Sequence, residues 1–171
     1  MTEAEGEHAS AEDWLGPHAP DAGIAGVHLF RSMIQPAYDD REDHLSWSMV
    51  GRVNVADEWT LLWGDLFVAQ DDWELGVTVS AMIQYRGGAL PFDADDEDAM
   101  DAHIRALAPW ASHAMYDVAA QWARQLEAAT YPAPDFDIPV RTPALDDVTV
   151  HLPSDVEPET GASTAMDGDP A

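Results

Sequence analysis

Hydrophobic and polar residues alternate along the first half of the chain in four runs. In the clearest run, Leu45–Val55, Trp47, Met49 and Val53 fall on one side while serines and Arg52 fall on the other. Alternation with a period of two is typical of a strand with one buried face. Similar runs cover residues 24–35, 59–69 and 75–85, and short acidic connectors separate them. The pattern predicts four antiparallel strands in a meander or a Greek key.

The third run, Trp59–Ala69, is apolar on both faces. A four-stranded sheet covered by one helix buries only one face, so the surplus apolar surface is expected to meet another subunit, a lid or a bound polypeptide. The simpler interpretation of any single tryptophan is that it fills the core. The candidates for polypeptide binding or for a subunit interface are eight apolar residues: Trp47, Met49, Trp59, Leu61, Trp63, Phe67, Trp110 and Tyr131.

The hydrophobic period changes after residue 95. Apolar residues recur at steps of three and four from Ile104 to Leu126, which predicts one amphipathic helix over residues 96–129. Pro109 falls inside this helix and is expected to kink it or to divide it, giving a short helix before Pro109 and a longer one after it. The predicted fold class is therefore α+β, with a four-stranded antiparallel sheet and a long proline-interrupted helix packed on one of its faces.

The two ends of the chain differ from its middle. Residues 1–23 and 153–171 are acidic and poor in large apolar residues, so they are predicted to be a disordered arm and a disordered tail around one domain, residues 24–152. No apolar run approaches the roughly 18 residues of a membrane span. The first residues lack the apolar segment of a signal peptide. We expect a soluble, cytoplasmic protein without membrane insertion.

The charge balance is extreme. The chain has 33 acidic residues and 7 basic ones, all arginine, which gives a net charge of −26. Such a chain repels nucleic acid, and it repels itself in dilute salt. At about 1 M salt the Debye length is only about 3 Å, and the repulsion is largely screened. The simplest interpretation is a surface suited to the salt-saturated cytoplasm of a halophile. An acidic face for a basic partner is the alternative.

Several kinds of chemistry are excluded or disfavoured. Cysteine and lysine are absent, which excludes thiolate sites, disulfides and Schiff bases. Motifs of hydrolases, phosphate-binding loops and zinc proteases are also missing. The acidic run Asp93–Asp98 lacks the glycine and glutamate of a calcium loop, and it is better interpreted as a solvated helix start. We predict that the protein is not an enzyme and uses no metal or other cofactor.

The helix and the segment after it carry a family resemblance. Leu107-Ala108-Pro109-Trp110-Ala111 leads into a helix, Tyr131-Pro132 follows it, and Ile138-Pro139-Val140 comes next. In order and spacing this series resembles the SecB export chaperones, over about residues 24–141. Together with the acidity, it indicates a halophilic archaeal member. The family's closing helix would fall in residues 141–152, although Val148-Thr149-Val150 favours an extended structure.

The resemblance implies a chaperone that holds non-native chains unfolded in surface grooves lined by aromatic and aliphatic residues. It implies a homo-oligomer, dimer or tetramer, that needs neither nucleotide nor metal. The expected partners are unfolded polypeptide clients, together with either the export translocase motor or a toxin–antitoxin pair. Two alternatives stay open: an adaptor for one specific partner, and a small-ligand-binding or enzymatic α+β domain.

Overall fold

Four long strands, one long helix and a short fifth strand follow one another along the chain. The computed structural model describes residues 21–37, 42–132 and 135–152. The predicted disordered tail, and all but the last three residues of the predicted arm, lie outside the described residues. The elements are β1 (Ala22–Pro36), β2 (His44–Asn54), β3 (Trp59–Gln70), β4 (Trp73–Tyr85), α1 (Glu97–Ala129) and β5 (Asp147–His151).

The five strands form one sheet in the order β1-β4-β3-β2-β5. The first four strands pair antiparallel, as predicted, and β1 lies beside β4. Of the two predicted arrangements, this one is the Greek key. Asp71 and Asp72 form the two-residue hairpin between β3 and β4, both with positive φ, 49° and 64°. That conformation suits the twist of the paired strands, and aspartate tolerates it better than most residues.

The prediction of a purely antiparallel, four-stranded sheet is wrong, because β5 adds a fifth strand parallel to β2. In this strand Val148 lies opposite Met49 and Val150 opposite Gly51, and both valines are partly buried against the core. The segment is only five residues long, and its partner strand lies about a hundred residues earlier in the chain. No local pattern could therefore show this pairing.

The helix α1 runs unbroken from Glu97 to Ala129. At its start the Asp96 carboxylate accepts a hydrogen bond from the Ala99 N–H at 3.0 Å, which satisfies one of the free amides of the first turn. The predicted division at Pro109 is wrong. Pro109 and Arg105, whose carbonyl loses its partner, are both exposed, so water can replace the missing hydrogen bond.

The hydrophobic core lies between α1 and the inward face of the sheet, with Trp47 near its centre. The Trp47 indole N–H donates to the Ser112 hydroxyl at 2.8 Å, and its ring meets Tyr116 edge to face at 5.5 Å. On β3, at the position opposite Met49, a Cβ at Gly64 would lie 2.4 Å from the Trp47 ring. Only glycine leaves room for the indole there, so the two positions depend on each other.

Hydrogen bonds attach the chain after α1 to the sheet just before β5 begins. The Trp47 backbone N–H donates to the Asp146 carboxylate at 2.8 Å, and the Asp146 N–H donates to the Trp47 carbonyl at 2.9 Å. From the helix, the Arg105 guanidinium donates to the Val148 carbonyl at 2.9 Å. These bonds hold β5 against the edge of β2.

Candidate functional site

The sheet face that points away from α1 is covered by no described helix or strand. We call it the open face. It is formed by every second residue of the central strands, and these are chiefly aromatic and aliphatic on β3. Its residues are Phe30 and Arg31 of β1; Ser48, Val50 and Arg52 of β2; Trp59, Leu61, Trp63, Asp65 and Phe67 of β3; Thr78, Ser80 and Met82 of β4; and Thr149 and His151 of β5.

Two shallow hollows cross the open face and share Arg52 and Trp63. One hollow has a volume of about 460 Å³ and the other about 470 Å³. The two hollows adjoin at these two side chains, and we call them together the Trp63 groove. It is lined by Phe30, Arg31, Val50, Arg52, Val53, Asn54, Val55, Trp59, Leu61, Trp63, Asp65, Thr78 and His151.

Strand register brings the apolar side chains of the groove together. Val50 lies directly opposite Trp63, which lies opposite Ser80, and Leu61 lies between Arg52 and Met82. Cross-strand neighbours pack on each other, which is why Trp63 and Leu61 are only half-exposed although no described element covers them. The result is a preformed apolar floor that is open to solvent along one side.

A β-bulge supplies one wall of the groove. The pairing of β1 with β4 shifts between Leu29 and Arg31, so Phe30 is the extra residue. Its side chain is 68% exposed and lines the same hollow as Trp63. A large aromatic ring so exposed is typical of a contact site rather than of a core.

The polar side chains of the groove include one carboxylate and two guanidinium groups. The Asp65 carboxylate accepts a hydrogen bond from the Thr78 hydroxyl, and it lies 4.0 Å from the Arg31 guanidinium. Arg52 has no ion-pair partner among the described residues. His151 lies beside Arg52 at the β5 end of the groove.

The eight candidate binding residues do not lie on one surface of the structure. Trp59, Leu61, Trp63 and Phe67 lie together on the open face, at successive outward positions of β3. Trp110 is half-buried on α1, and Tyr131, 98% exposed, follows that helix. Two candidates are corrected: Trp47 and Met49 are 0% and 1% exposed. They belong to the core between sheet and helix, so they offer no surface to a client or a second subunit.

The sequence interpretation missed three apolar residues of the open face: Val50, Met82 and Phe30. Val50 shares its side of β2 with Ser48 and Arg52, so the alternation itself could have placed it there. Met82 follows the same logic on β4. For Phe30 there was no such signal, because the bulge interrupts the alternation at that position.

A second polar cluster lies inside the domain, away from the groove. The Tyr85 hydroxyl is hydrogen-bonded to the Thr60 hydroxyl at 2.5 Å and to Nε2 of His103 at 3.0 Å. The His103 ring, on α1, also packs against Phe92 with a centroid separation of 5.0 Å. Burial lowers the pKa of His103 and raises the pKa of Tyr85. Both groups are therefore held in their uncharged forms.

This cluster predicts a pH dependence of stability. The unfolded chain binds a proton at His103 near the ordinary pKa of about 6.5, whereas the folded chain resists it, so stability falls as the pH drops through that value. One proton gives a slope of at most about 1.4 kcal/mol per pH unit, and the loss levels off below the lowered pKa. Denaturant unfolding in molar KCl between pH 7.5 and pH 5.5 measures it.

A matched pair of variants assigns the pH slope to this residue. His103→Gln, which keeps a hydrogen-bonding side chain but cannot titrate, is expected to flatten the slope. His28→Gln, at an exposed position of β1, is expected to keep the wild-type slope. A slope that survives in His103→Gln would contradict the assignment.

Some kinds of site are absent from the described part of the chain. No group of three or more histidine and acidic side chains is placed to hold a metal ion there. Every buried side-chain nitrogen and oxygen in those residues has a hydrogen-bond partner. Among the described helices, none is both long and apolar enough to cross a membrane.

The comparison with solved structures found a SecB-like chaperone and a second, weaker match. The SecB-like chaperone Rv1957 of Mycobacterium tuberculosis, solved with a ChAD peptide from the antitoxin HigA1 (Rv1956), superposes with a TM-score of 0.50 at 14% identity, covering 72% of this chain and 88% of that one. A Streptococcus agalactiae protein of unknown function gives a TM-score of 0.28 at 9% identity, covering 57% of this chain and 86% of that one. No family model and no curated protein matches the sequence. The first likeness supports a SecB-like fold.

Proposed function

We propose that this chain is a SecB-like chaperone that binds unfolded or non-native polypeptides in the Trp63 groove. The observation that carries the proposal is the pair of adjoining hollows with an apolar floor around Trp63 and Leu61, on a sheet face that no described element covers. An extended polypeptide can lie along these hollows and bury apolar side chains against their floor, and the burial of apolar surface stabilises the complex.

The shape of the groove favours a polypeptide ligand over a small molecule. A small-ligand or enzyme site is usually a concave pocket that encloses its ligand and holds a few convergent polar groups. The Trp63 groove is instead open along one side. The charged side chains of Arg31, Arg52 and Asp65 border it, and its floor is aromatic and aliphatic. Aromatic rings provide a large contact area and do not demand one sequence, which suits the binding of many clients. The proposed activity is not enzymatic.

The solved structure of the M. tuberculosis neighbour supports the same ligand class. That SecB-like chaperone was solved with a peptide of an antitoxin. For this chain we propose polypeptide clients in general, with export and the control of a toxin–antitoxin pair as the two cellular settings. An adaptor for one partner would use the same groove but would ignore unrelated clients, so the choice of clients in the test matters.

The direct test is an aggregation assay in about 1 M KCl, where the self-repulsion of the chain is screened. Several unrelated, chemically denatured proteins are diluted into buffer with the full chain, and light scattering is followed over time. Near equimolar chain is expected to delay the aggregation of each client. A delay for one client alone would favour the adaptor, and no delay for any client would contradict the proposal.

We also propose that the chain assembles into a dimer or a tetramer. The open face carries exposed Phe30 and Met82 beside half-exposed Leu61 and Trp63, and a second copy would cover part of this apolar surface. Size-exclusion chromatography with light scattering, in the same salt, measures the mass. A monomer that also fails in the aggregation assay would end the SecB-like interpretation.

A further inference from the structure

The few positive charges of this chain are unevenly placed. Only seven residues are basic, against 33 acidic ones. Two of the seven, Arg31 and Arg52, line the Trp63 groove, where Asp65 is the only acidic lining residue among the described ones. The groove therefore carries more guanidinium than carboxylate on a chain with a net charge of −26.

The two arginines differ in what they already contact. The Arg31 guanidinium lies 4.0 Å from the Asp65 carboxylate, which also accepts a hydrogen bond from the Thr78 hydroxyl. Arg52 has no ion-pair partner in the described part of the chain. Arg52 borders both hollows together with Trp63 and lies opposite Leu61 on β3, so it stands beside the apolar floor where the two hollows adjoin.

We infer that the groove selects polypeptide segments in which an aspartate or glutamate stands beside a large apolar residue. The apolar side chain packs on Trp63 and Val50 while the carboxylate pairs with the Arg52 guanidinium. This inference rests on the proposed function, since it names the class of client segment that the same groove prefers. A basic segment would bring a cation towards Arg31 and Arg52 and would be disfavoured.

The chemistry of the guanidinium supports a contact with a carboxylate. It is planar, weakly hydrated and always charged, and it binds a carboxylate through two parallel hydrogen bonds. The net charge of −26 would repel an acidic segment at long range in dilute salt. At about 1 M salt the Debye length is about 3 Å, so the long-range repulsion is lost while a direct contact persists in part.

The experiment uses three labelled, unstructured peptides of equal length and with the same leucine and phenylalanine core. They differ only in the flanking residues, which are glutamate, glutamine or arginine. Binding to the full chain is measured by fluorescence anisotropy in about 1 M KCl, where screening is strong. The glutamate peptide is expected to bind about tenfold more tightly than the glutamine peptide, the scale of one charge-assisted pair. The arginine peptide is expected to bind most weakly.

Variants separate a local contact from an effect of net charge. Arg52→Gln is expected to bring the ratio of the two affinities, glutamate peptide over glutamine peptide, to about one. Arg86→Gln removes the same charge from the far end of β4, where Arg86 pairs with Asp21 at 3.1 Å, and it is expected to keep the preference.

The outcomes distinguish this inference from the proposed function. If the glutamine and glutamate peptides bind equally, or if Arg52→Gln keeps the preference, the selection of acidic segments is wrong while the chaperone proposal stands. If Arg86→Gln abolishes the preference as well, net charge and not the groove is its cause, and the inference is again overturned. If no peptide binds, both proposals fail.

Discussion

Trp63→Ala is expected to weaken client binding by about thirtyfold, the typical cost of losing a tryptophan at the centre of an interface. Trp63 borders both hollows of the groove, so its removal takes away the floor at the point where they meet. The aggregation assay and the peptide titration both measure the loss. Since the side chain points away from α1 and is only half-buried, we expect the free energy of unfolding to fall by about 1 kcal/mol or less.

A tryptophan on the opposite side of the domain provides the control. Trp122, on α1, is 40% exposed and lies far from the groove in the fold. Trp122→Ala removes the same side chain, so it is expected to leave client binding unchanged. Equal losses in both variants would mean that the loss is not specific to the groove, and a Trp63→Ala chain that still delays aggregation would contradict the proposed site.

Trp47→Ala is expected to cost about 3–5 kcal/mol of stability, as large truncations of buried aromatic residues do. The indole is 0% exposed, and its loss would leave a cavity under α1 and the Ser112 hydroxyl without its donor. Domains of this kind are stable by only about 5–15 kcal/mol, so the fraction lost is large. Denaturant unfolding in molar KCl, followed by circular dichroism, measures the change.

A conservative variant separates the two contributions of Trp47 to stability, the packing of its ring and its hydrogen bond. Trp47→Phe keeps an aromatic ring near Tyr116 but loses the hydrogen bond to Ser112, so we expect a smaller cost than for alanine. The folded Trp47→Phe chain is expected to bind clients as the wild type does. If Trp47→Ala unfolds at the wild-type denaturant concentration, the central place of this residue in the core is wrong.

The four long strands could be predicted from the sequence because each is a continuous alternating run with a turn at its end. The β3–β4 hairpin, for example, follows from Asp71-Asp72 between two apolar runs. The helix was equally visible from its period, and its end before Tyr131 was marked by proline. The prediction did not show that the helix continues through Pro109. This continuity depends on whether the proline lies on the exposed or on the buried side of the helix.

The fifth strand and the bulge at Phe30 could not be predicted, for a shared reason. Both are set by pairing between strands and not by any run of residues. Val148-Thr149-Val150 becomes a strand because Asp146 and Arg105 hold it against β2. Phe30 is an extra residue only relative to the register of β4. Neither relation is written in a local window of sequence.

The sequence predicts part of the open face. The apolar surplus on both faces of β3 indicates that the predicted helix covers only one of them, and Trp59, Leu61, Trp63 and Phe67 lie on the other. That these residues bind polypeptides stays a prediction. On β2 the alternation already separates Trp47 and Met49 from Val50 and Arg52, so the first two were wrong candidates: they lie in the core, whereas Val50 and Arg52 line the groove.

The two-faced strand β3 lets adjacent residues evolve under different constraints. Leu62 and Leu66 are fixed by the packing of the domain, while Leu61 and Trp63, on either side of Leu62, are constrained only by what the outer surface meets. A substitution at an odd-numbered position can therefore change the range of bound sequences without lowering the yield of folded protein. Under the proposed function, the outward residues of β3 can therefore change one at a time and alter which segments bind, while the inward residues keep the fold unchanged.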